Sequence, residues 1–262
     1  MRLLLLCFLL LVSALSSAQA LELRVALGSR DATKGPGSTA VQSGDVTAFN
    51  EELAREICRR LKARCVTVNL PFTEILPGVE ANRFELGFGN FLKTPEREKR
   101  VAFSDSIWRS SSRLVASQET AQIFAIRAGQ DVSLDNLRGA RLAVIAESQQ
   151  YLYLARVAAE RSLSLQTGQT IAEVIALVRQ GKVDFGLLPM LAAYGLLSSE
   201  PPAGIGFVGA PVTEGTLGGT VHIALPKPDS GLRLAVNQAI AAMRADGTYH
   251  RIVRRHFPFT LD

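Results

Sequence analysis

The chain has 262 residues, of which 47% are hydrophobic, and a formal net charge of +5. Its 29 Lys and Arg residues are spread along the predicted helices without interleaved aromatic residues, which is typical of solvated helix faces and argues against a nucleic-acid partner. The three histidines, His222, His250 and His256, have no metal-like spacing with one another or with Cys and acidic residues. There is no P-loop and no nucleophile elbow, so we expect neither a cofactor nor a metal.

Residues 1–20 are predicted to form a secretory signal. Arg2 supplies the charge, Leu3–Val12 the apolar core, and Ala18-Gln19-Ala20 a small-x-small cleavage site. The apolar run is short for a membrane span, although an uncleaved anchor stays open, and Cys7 lacks an obvious lipobox. Cleavage would leave about 240 residues, enough for one large or two small cores. No later segment approaches the length of a membrane span, so we predict an exported, soluble protein.

The first half of the exported chain alternates predicted strands and helices. One helix carries Phe49, Leu53, Ile57 and Leu61 at i+4 spacing, which makes a single apolar stripe. It follows a strand and a loop rich in Gly, Ser and Thr. The other predicted elements of this half are the strands Leu23–Leu27, Val66–Val68, Leu86–Phe88, Val101–Ser106 and Arg113–Ala116, and a short helix at Thr73–Ala81.

The second half repeats the alternation. Thr170 and Glu173 have capping-box spacing and open a helix that ends near Gln180, and Gly247 is the predicted stop of a later helix. The remaining elements are the strands Arg141–Ala146, Val183–Leu188 and Thr220–Leu225, and the helices at about 148–162, Met190–Leu197, Leu232–Arg244 and Tyr249–His256. Strands that alternate with helices predict an α/β fold with two mostly parallel sheets.

The run Phe88–Arg97 is the most informative segment of the chain. Thr94 is a good N-cap, Pro95 suits the first helical position, and Glu96 favours the positive end of the helix dipole. Arg97 would then lie at a strand-to-helix junction, where open α/β sheets bind ligands. Its rigid fork of donors matches a carboxylate. The alternative for Arg97 is an ordinary surface arginine on a charged helix.

This run, with the frame around it, resembles the bacterial extracellular solute-binding proteins of family 3, in particular the histidine- and lysine/arginine/ornithine-binding type. The resemblance extends over nearly all of the exported chain. It implies a periplasmic binding protein-like fold of type II, with two lobes joined by two crossing strands and a ligand cleft between them. The first lobe would comprise 21–109 plus 220–262, and the second 110–219.

The same resemblance implies a function. The protein would be a periplasmic monomer that captures a small polar, carboxylate-bearing ligand, an amino acid or a related acid, for an ABC permease of the inner membrane. Arg97 would grip the carboxylate, Asn90 would add a polar contact, and Phe72 would pack on the ligand body. Thr94 would serve as helix cap, ligand contact or both, and Ser148 would assist carboxylate binding at a helix start.

Three positions depart from the family pattern. Glu147 replaces a usual glycine, Ser29–Ala32 replaces a usual aromatic residue, and Pro189 replaces the aspartate that usually pairs with the ligand ammonium. Either Asp31 or Glu147 holds an ammonium group instead, or the ligand is a different small acid or transport has been lost. We thus expect the site to bind a carboxylate, whereas the sequence does not decide whether it also binds an ammonium group.

Cys58 and Cys65 lie at the end of a predicted helix and the start of a predicted strand. In an oxidising compartment a disulfide between them would contribute on the order of 2–3 kcal/mol; the alternative is two unpaired thiols. The segment Glu56–Cys65 also resembles the disulfide loop of the histidine- and lysine/arginine/ornithine-binding members.

We expect binding without catalysis, but two alternatives are kept. The periplasmic cyclohexadienyl dehydratases resemble solute-binding proteins, and Glu147, if buried, would be a candidate general acid for such an enzyme. The other alternative is a sensor or accessory protein that reports a ligand to a membrane partner.

Overall fold

The computed structural model describes residues 21–28, 46–199, 204–213 and 215–261. Within these ranges the chain forms two lobes, each built on its own five-stranded sheet with helices against it. The predicted signal segment and Asp31 lie outside the described residues. No helix in the described part of the chain combines the length and the apolar character that a membrane crossing requires.

The first sheet has the strand order β2-β1-β3-β10-β4. β1 runs parallel to β2 and β3, whereas β10 runs antiparallel to β3 and β4. The strands are β1 (Glu22–Gly28), β2 (Arg64–Leu70), β3 (Leu86–Leu92), β4 (Ala102–Ser110) and β10 (Gly219–Leu225). The helices of this lobe are α1 (Val46–Arg60), α2 (Phe72–Glu80), α3 (Pro95–Glu98), α8 (Ser230–Ala245) and α9 (Thr248–His256).

The second sheet has the order β7-β6-β8-β5-β9. β6 runs parallel to β7 and β8, and β5 runs antiparallel to β8 and β9. The strands are β5 (Ser112–Ser117), β6 (Arg141–Ile145), β7 (Ser164–Gly168), β8 (Phe185–Pro189) and β9 (Ile205–Val212). The helices are α4 (Gln118–Ala128), α5 (Gln149–Val157), α6 (Ile171–Arg179) and α7 (Met190–Ser199).

The chain crosses between the lobes twice, from β4 to β5 and from β9 to β10. β5, which follows the first crossing, is antiparallel to both of its neighbours in the second sheet. β10, which follows the second crossing, is antiparallel to both of its neighbours in the first sheet. Four of the five strands in each sheet therefore run in the same direction, as expected for mostly parallel sheets, and the reversed strand that follows a crossing makes each sheet mixed. The lobe boundaries expected above, 21–109 plus 220–262 and 110–219, stay a prediction.

Several helix ends confirm the local sequence signals. The Thr94 hydroxyl accepts a hydrogen bond from the Arg97 backbone N–H at 3.3 Å, with Pro95 in the first turn. Thr170 caps α6 in the same way, by accepting from the Glu173 N–H at 3.2 Å. Gly247 follows α8 with a φ of 74°, in the left-handed region that favours glycine.

The first-lobe core surrounds Phe49, which is fully buried on α1. Its ring makes edge contacts with the rings of Trp108, Tyr249 and Phe257, so α1, β4 and the C-terminal segment share one core. At the far end of α1, Cys58 and Cys65 form a disulfide with a Cα–Cα distance of 6.2 Å. The predicted disulfide is confirmed, and it joins α1 to β2.

Candidate ligand-binding cleft

A cleft lies between the lobes at the carboxyl ends of their parallel strands, which is where open α/β sheets bind ligands. The first lobe lines it with Gly28, Val46, Thr47, Phe72, Gly89, Asn90, Leu92, Arg97 and Ser110. The second lobe lines it with Ile145, Ser148, Gln149, Gln150, Gln169, Thr170, Ile171, Pro189, Ala192, Gly195 and Leu196.

The two lobes touch across this cleft. The Thr73 hydroxyl donates to the Gln169 side-chain oxygen at 3.3 Å. Phe72, from the first lobe, packs on an apolar cluster of the second lobe that contains Ile145. At the rim, the Tyr194 ring lies edge-on to Phe259 with 5.3 Å between ring centroids. These three contacts hold the lobes against one another.

Of the described residues that line the cleft, Arg97 is the one whose side chain is charged. The Thr94 cap and Pro95 fix the short helix that carries it, and only 8% of Arg97 is exposed. Its guanidinium carbon lies 5.8 Å from the Phe72 ring centroid and 5.3 Å from that of Phe91. Two aromatic faces therefore hold the fork in place by cation–π contact.

The Arg97 charge is only partly compensated. One guanidinium N–H donates to the Leu92 carbonyl at 3.0 Å, and in the described part of the chain no carboxylate is paired with it. Burial, and secondarily the charge of Arg100, lower the pKa of Arg97 from 12.5 to about 10. Arg97 is still charged at neutral pH, so it is a desolvated cation that would be stabilised by an anion in the cleft.

Gly89 makes the position of Phe91 possible. A Cβ at residue 89 would lie 2.3 Å from the Phe91 ring, far inside van der Waals contact. Phe91 is fully buried beneath Arg97. The glycine in the run Phe88–Arg97 thus serves the packing under the guanidinium.

The N-terminus of α5 also faces the cleft. Ser148 caps it by accepting from the Tyr151 N–H at 3.1 Å, and its first turn contains no acidic residue. Ser148, Gln149 and Gln150 are all buried and line the cleft. The first N–H groups of a helix lack intrahelical acceptors and carry partial positive charge, so α5 offers an anion both donors and a favourable dipole.

The N-terminus of α6 is different because it already has an acidic partner. Glu173 lies in its first turn and accepts from the Gln169 backbone N–H at 2.8 Å. The capping box expected from the sequence is thus displaced by one residue, since Glu173 reaches Gln169 and not the Thr170 N–H. Of these two helix ends, that of α5 is therefore the more electropositive.

The amino-acid sequence over residues 29–259 matches the family model of the bacterial extracellular solute-binding proteins, family 3. The chain belongs to this family. It is 27% identical to the lysine/arginine/ornithine-binding periplasmic protein of Escherichia coli K12, with 96% of this chain and 94% of that protein covered. It is also 27% identical to the histidine-binding periplasmic protein of the same strain, with 94% and 92% covered.

Solved structures show the same fold. An arginine 3rd transport system periplasmic binding protein from Legionella pneumophila superposes with a TM-score of 0.75 at 22% identity, covering 91% of this chain and 100% of that one. At this identity the likeness shows the fold alone, and the two-lobe fold expected for a family 3 protein is confirmed.

The structure brings four of the predicted site residues together. Arg97, Asn90, Phe72 and Ser148 all line the cleft. Asn90 has a φ of 56°, and its side-chain oxygen accepts from the Asn50 amide at 3.0 Å. Whether these side chains contact the ligand stays a prediction.

Thr94 and Glu147 are placed differently, and Asp31 lies outside the described residues. Thr94 is buried as the cap of α3 and is absent from the cleft lining. Glu147 is exposed, also outside the lining, with a φ of 57° in the left-handed region. That backbone conformation favours glycine, which is the residue that the resemblance implied for this position.

We expect Glu147→Gly to leave ligand affinity within about threefold of the wild type and to change the free energy of unfolding by less than about 1 kcal/mol. Glycine relieves the left-handed strain but adds entropy to the unfolded chain, and the two effects oppose each other. Isothermal titration and thermal unfolding measure both quantities. Glu147→Gln is the control for charge; a tenfold loss of affinity in either variant would place the carboxylate against the ligand.

Sequence reasoning missed much of the cleft lining. Gln149 and Gln150 follow the Ser148 cap, and Gln169 precedes the Thr170 cap. Thr170 is predicted as a helix cap and Ser148 as a residue at a helix start, and a helix start at a strand end in an α/β sheet exposes the residues beside it. The sequence therefore contains a feature that could have predicted these amides as cleft residues. It contains no such feature for the apolar face of α7, with Ala192 and Leu196.

Proposed function

We propose that this family 3 protein binds a small carboxylate-bearing ligand in the interlobe cleft and presents it to an ABC permease. The observation that carries the proposal is the buried Arg97 guanidinium, which has no carboxylate partner within the described residues and lies in the same cleft as the α5 N-terminus. A carboxylate would pair with the fork bidentately and accept from the free N–H groups of α5. Closure of the lobes would exclude water from these bonds.

The relatives support a role in periplasmic capture. Both Escherichia coli proteins are named as periplasmic binding proteins, one for lysine, arginine and ornithine and the other for histidine. We extend to this chain the periplasmic location, with residues 1–20 as the export signal, and a monomeric state. Closure around the ligand would then form the surface that the permease recognises.

Binding without chemical change is favoured over a dehydratase-like reaction. The general acid considered for such an enzyme, Glu147, is exposed and is not part of the cleft lining. The described lining side chains are apolar, hydroxyl, amide or, in Arg97, guanidinium. An arginine that stays protonated at neutral pH binds anions but is a poor proton donor or acceptor.

Thermal unfolding of residues 21–262 against amino acids, polyamines, and mono- and dicarboxylates tests the proposal. A carboxylate ligand present at about 100 times its Kd should add roughly 2.7 kcal/mol, a rise in Tm of about 5–10 °C for a chain of this size. The decarboxylated amine of each amino acid is the matched control and should have no effect. Stabilisation by the amine alone, or by no carboxylate in the panel, would contradict the proposed function.

A further inference from the structure

Helix α7 has a different neighbour on each of its sides. Successive residues of an α-helix advance by about 100° around its axis, so the sides of α7 can be told apart by their contacts. Ala192, Gly195 and Leu196 form the side that lines the cleft. Of the residues between them, Ala193 lies in the core of the second lobe, and the preceding Leu191 lies in the core of the first lobe. α7 therefore lies between the two lobes and forms one wall of the cleft.

Tyr194 is on the side of α7 that is turned away from the cleft. It is two residues from both Ala192 and Leu196, so its direction differs from theirs by about 160°. Its ring lies edge-on to the ring of Phe259, with 5.3 Å between the centroids and an interplanar angle of 82°. This geometry is favoured for an aromatic pair. The pair thus supports α7 from the side opposite the cleft.

The segment that carries Phe259 is anchored on both sides of that residue. Phe257 is 2% exposed, and its ring lies 5.4 Å from the ring of Phe49 in the first-lobe core. Leu261 is buried in the same core, and its carbonyl accepts a hydrogen bond from the Arg109 backbone N–H at 3.4 Å. This C-terminal segment is therefore fixed to the first lobe, and Phe259 is the ring that it presents to the second lobe.

We propose that Phe259 is a positioning residue of the cleft, which acts through Tyr194 to hold α7 at a fixed distance from Arg97. Arg97 and Phe259 both belong to the first lobe, whereas α7 follows β8 of the second lobe. The ring pair therefore ties the apolar wall on one lobe to the lobe that carries the guanidinium. The inference rests on the proposed function in taking this cleft as the ligand site. Its test needs no ligand, so the two can fail separately.

The distance between α7 and the first lobe tests the inference directly. Spin labels on Lys99→Cys and Ser198→Cys, two exposed positions, report this distance by double electron–electron resonance. The protein used is residues 21–262, which contain every described element, and the native cysteines of this chain are joined in the disulfide. We expect one narrow distance in the wild-type background and a broader or displaced distribution after Phe259→Ala.

Hydrogen exchange of the α7 amides gives a second readout. An aromatic pair changes a local equilibrium by a factor of about two to ten, so we expect α7 to exchange about two- to tenfold faster in Phe259→Ala. The amides of α6 should exchange as in the wild type. The denaturant midpoint should change little, because Phe259 is already 37% exposed.

Three further variants separate positioning from a general loss of packing. Tyr194→Ala should reproduce both effects, and it serves if Phe259→Ala does not fold, which circular dichroism shows. Phe259→Tyr keeps the ring and should match the wild type. Leu234→Ala is the matched control, since it truncates an exposed apolar residue on α8 of the same lobe, and it should also match the wild type. An unchanged distance distribution in a folded alanine variant of the pair overturns the inference, as does an equal change in Leu234→Ala.

Discussion

Replacing Arg97 with methionine should abolish carboxylate binding and leave the free protein at least as stable as the wild type. Arg97 is a buried cation, 8% exposed, between the rings of Phe72 and Phe91. The lowering of its pKa from 12.5 to about 10 corresponds to a cost of roughly 3 kcal/mol for the charged form. Methionine fills a similar volume without that cost, as when buried ions elsewhere are replaced by apolar residues.

The net change in stability should fall between zero and about +3 kcal/mol, because the variant also loses the hydrogen bond to the Leu92 carbonyl and the cation–π contacts. Denaturant unfolding without ligand gives this quantity, and titration with the ligand found in the panel gives the affinity. Arg100→Met is the matched control: Arg100 is half-exposed and paired with Glu80 at 2.6 Å, so its loss should cost less than about 1 kcal/mol. Near-wild-type affinity in the Arg97 variant would contradict the site.

The local features of the site could be predicted from the sequence because they depend on a few adjacent residues. Thr94 and Pro95 determine where α3 begins, and this determines where Arg97 lies. The caps at Thr170 and Gly247 have the same local origin. The Cys58–Cys65 disulfide also follows from neighbouring elements, since only seven positions separate the two residues.

Other elements could not be predicted because the hydrophobic pattern of their own residues is too weak. β7 (Ser164–Gly168) is largely polar and mostly exposed, because it is an edge strand with one neighbour. α4 (Gln118–Ala128) buries only two residues, Ala121 and Phe124, so its apolar stripe is faint. The antiparallel pairing of β5 and β10 is a property of the lobe crossing, and strand periodicity carries no information on strand direction.

The cleft lining is predictable only in part for a related reason. Arg97 and Ser148 lie at helix starts, which the sequence marks. The apolar face of α7 belongs to a helix that is hydrophobic nearly all round, so no pattern separates the residues facing the core from those facing the cleft. Leu191, in the first-lobe core, and Leu196, in the cleft, look alike in sequence.

Replacing Ser112 with alanine should weaken both folding and ligand binding. Ser112 is fully buried at the start of β5, directly after the first crossing between the lobes. Its hydroxyl donates to the Leu217 carbonyl at 2.5 Å, just before the second crossing, and accepts from the Gln150 amide at 2.8 Å. Alanine leaves a buried carbonyl and a buried amide without these partners, which should cost about 2 kcal/mol of unfolding free energy, or about 4–8 °C in Tm.

Ligand affinity should fall together with stability because this one hydroxyl joins both crossings to a residue of the cleft wall. Without it, Gln150 is free to turn and the angle between the lobes is less restrained. Ser111→Ala is the matched control, since the neighbouring hydroxyl donates to the Met190 sulfur at 3.7 Å, and a sulfur is a weak acceptor. That variant should stay within about 0.5 kcal/mol of the wild type. If Ser112→Ala had the same unfolding free energy and ligand affinity as Ser111→Ala, the Ser112 hydroxyl would not stabilise the crossing, and the lobes would be held together by packing alone.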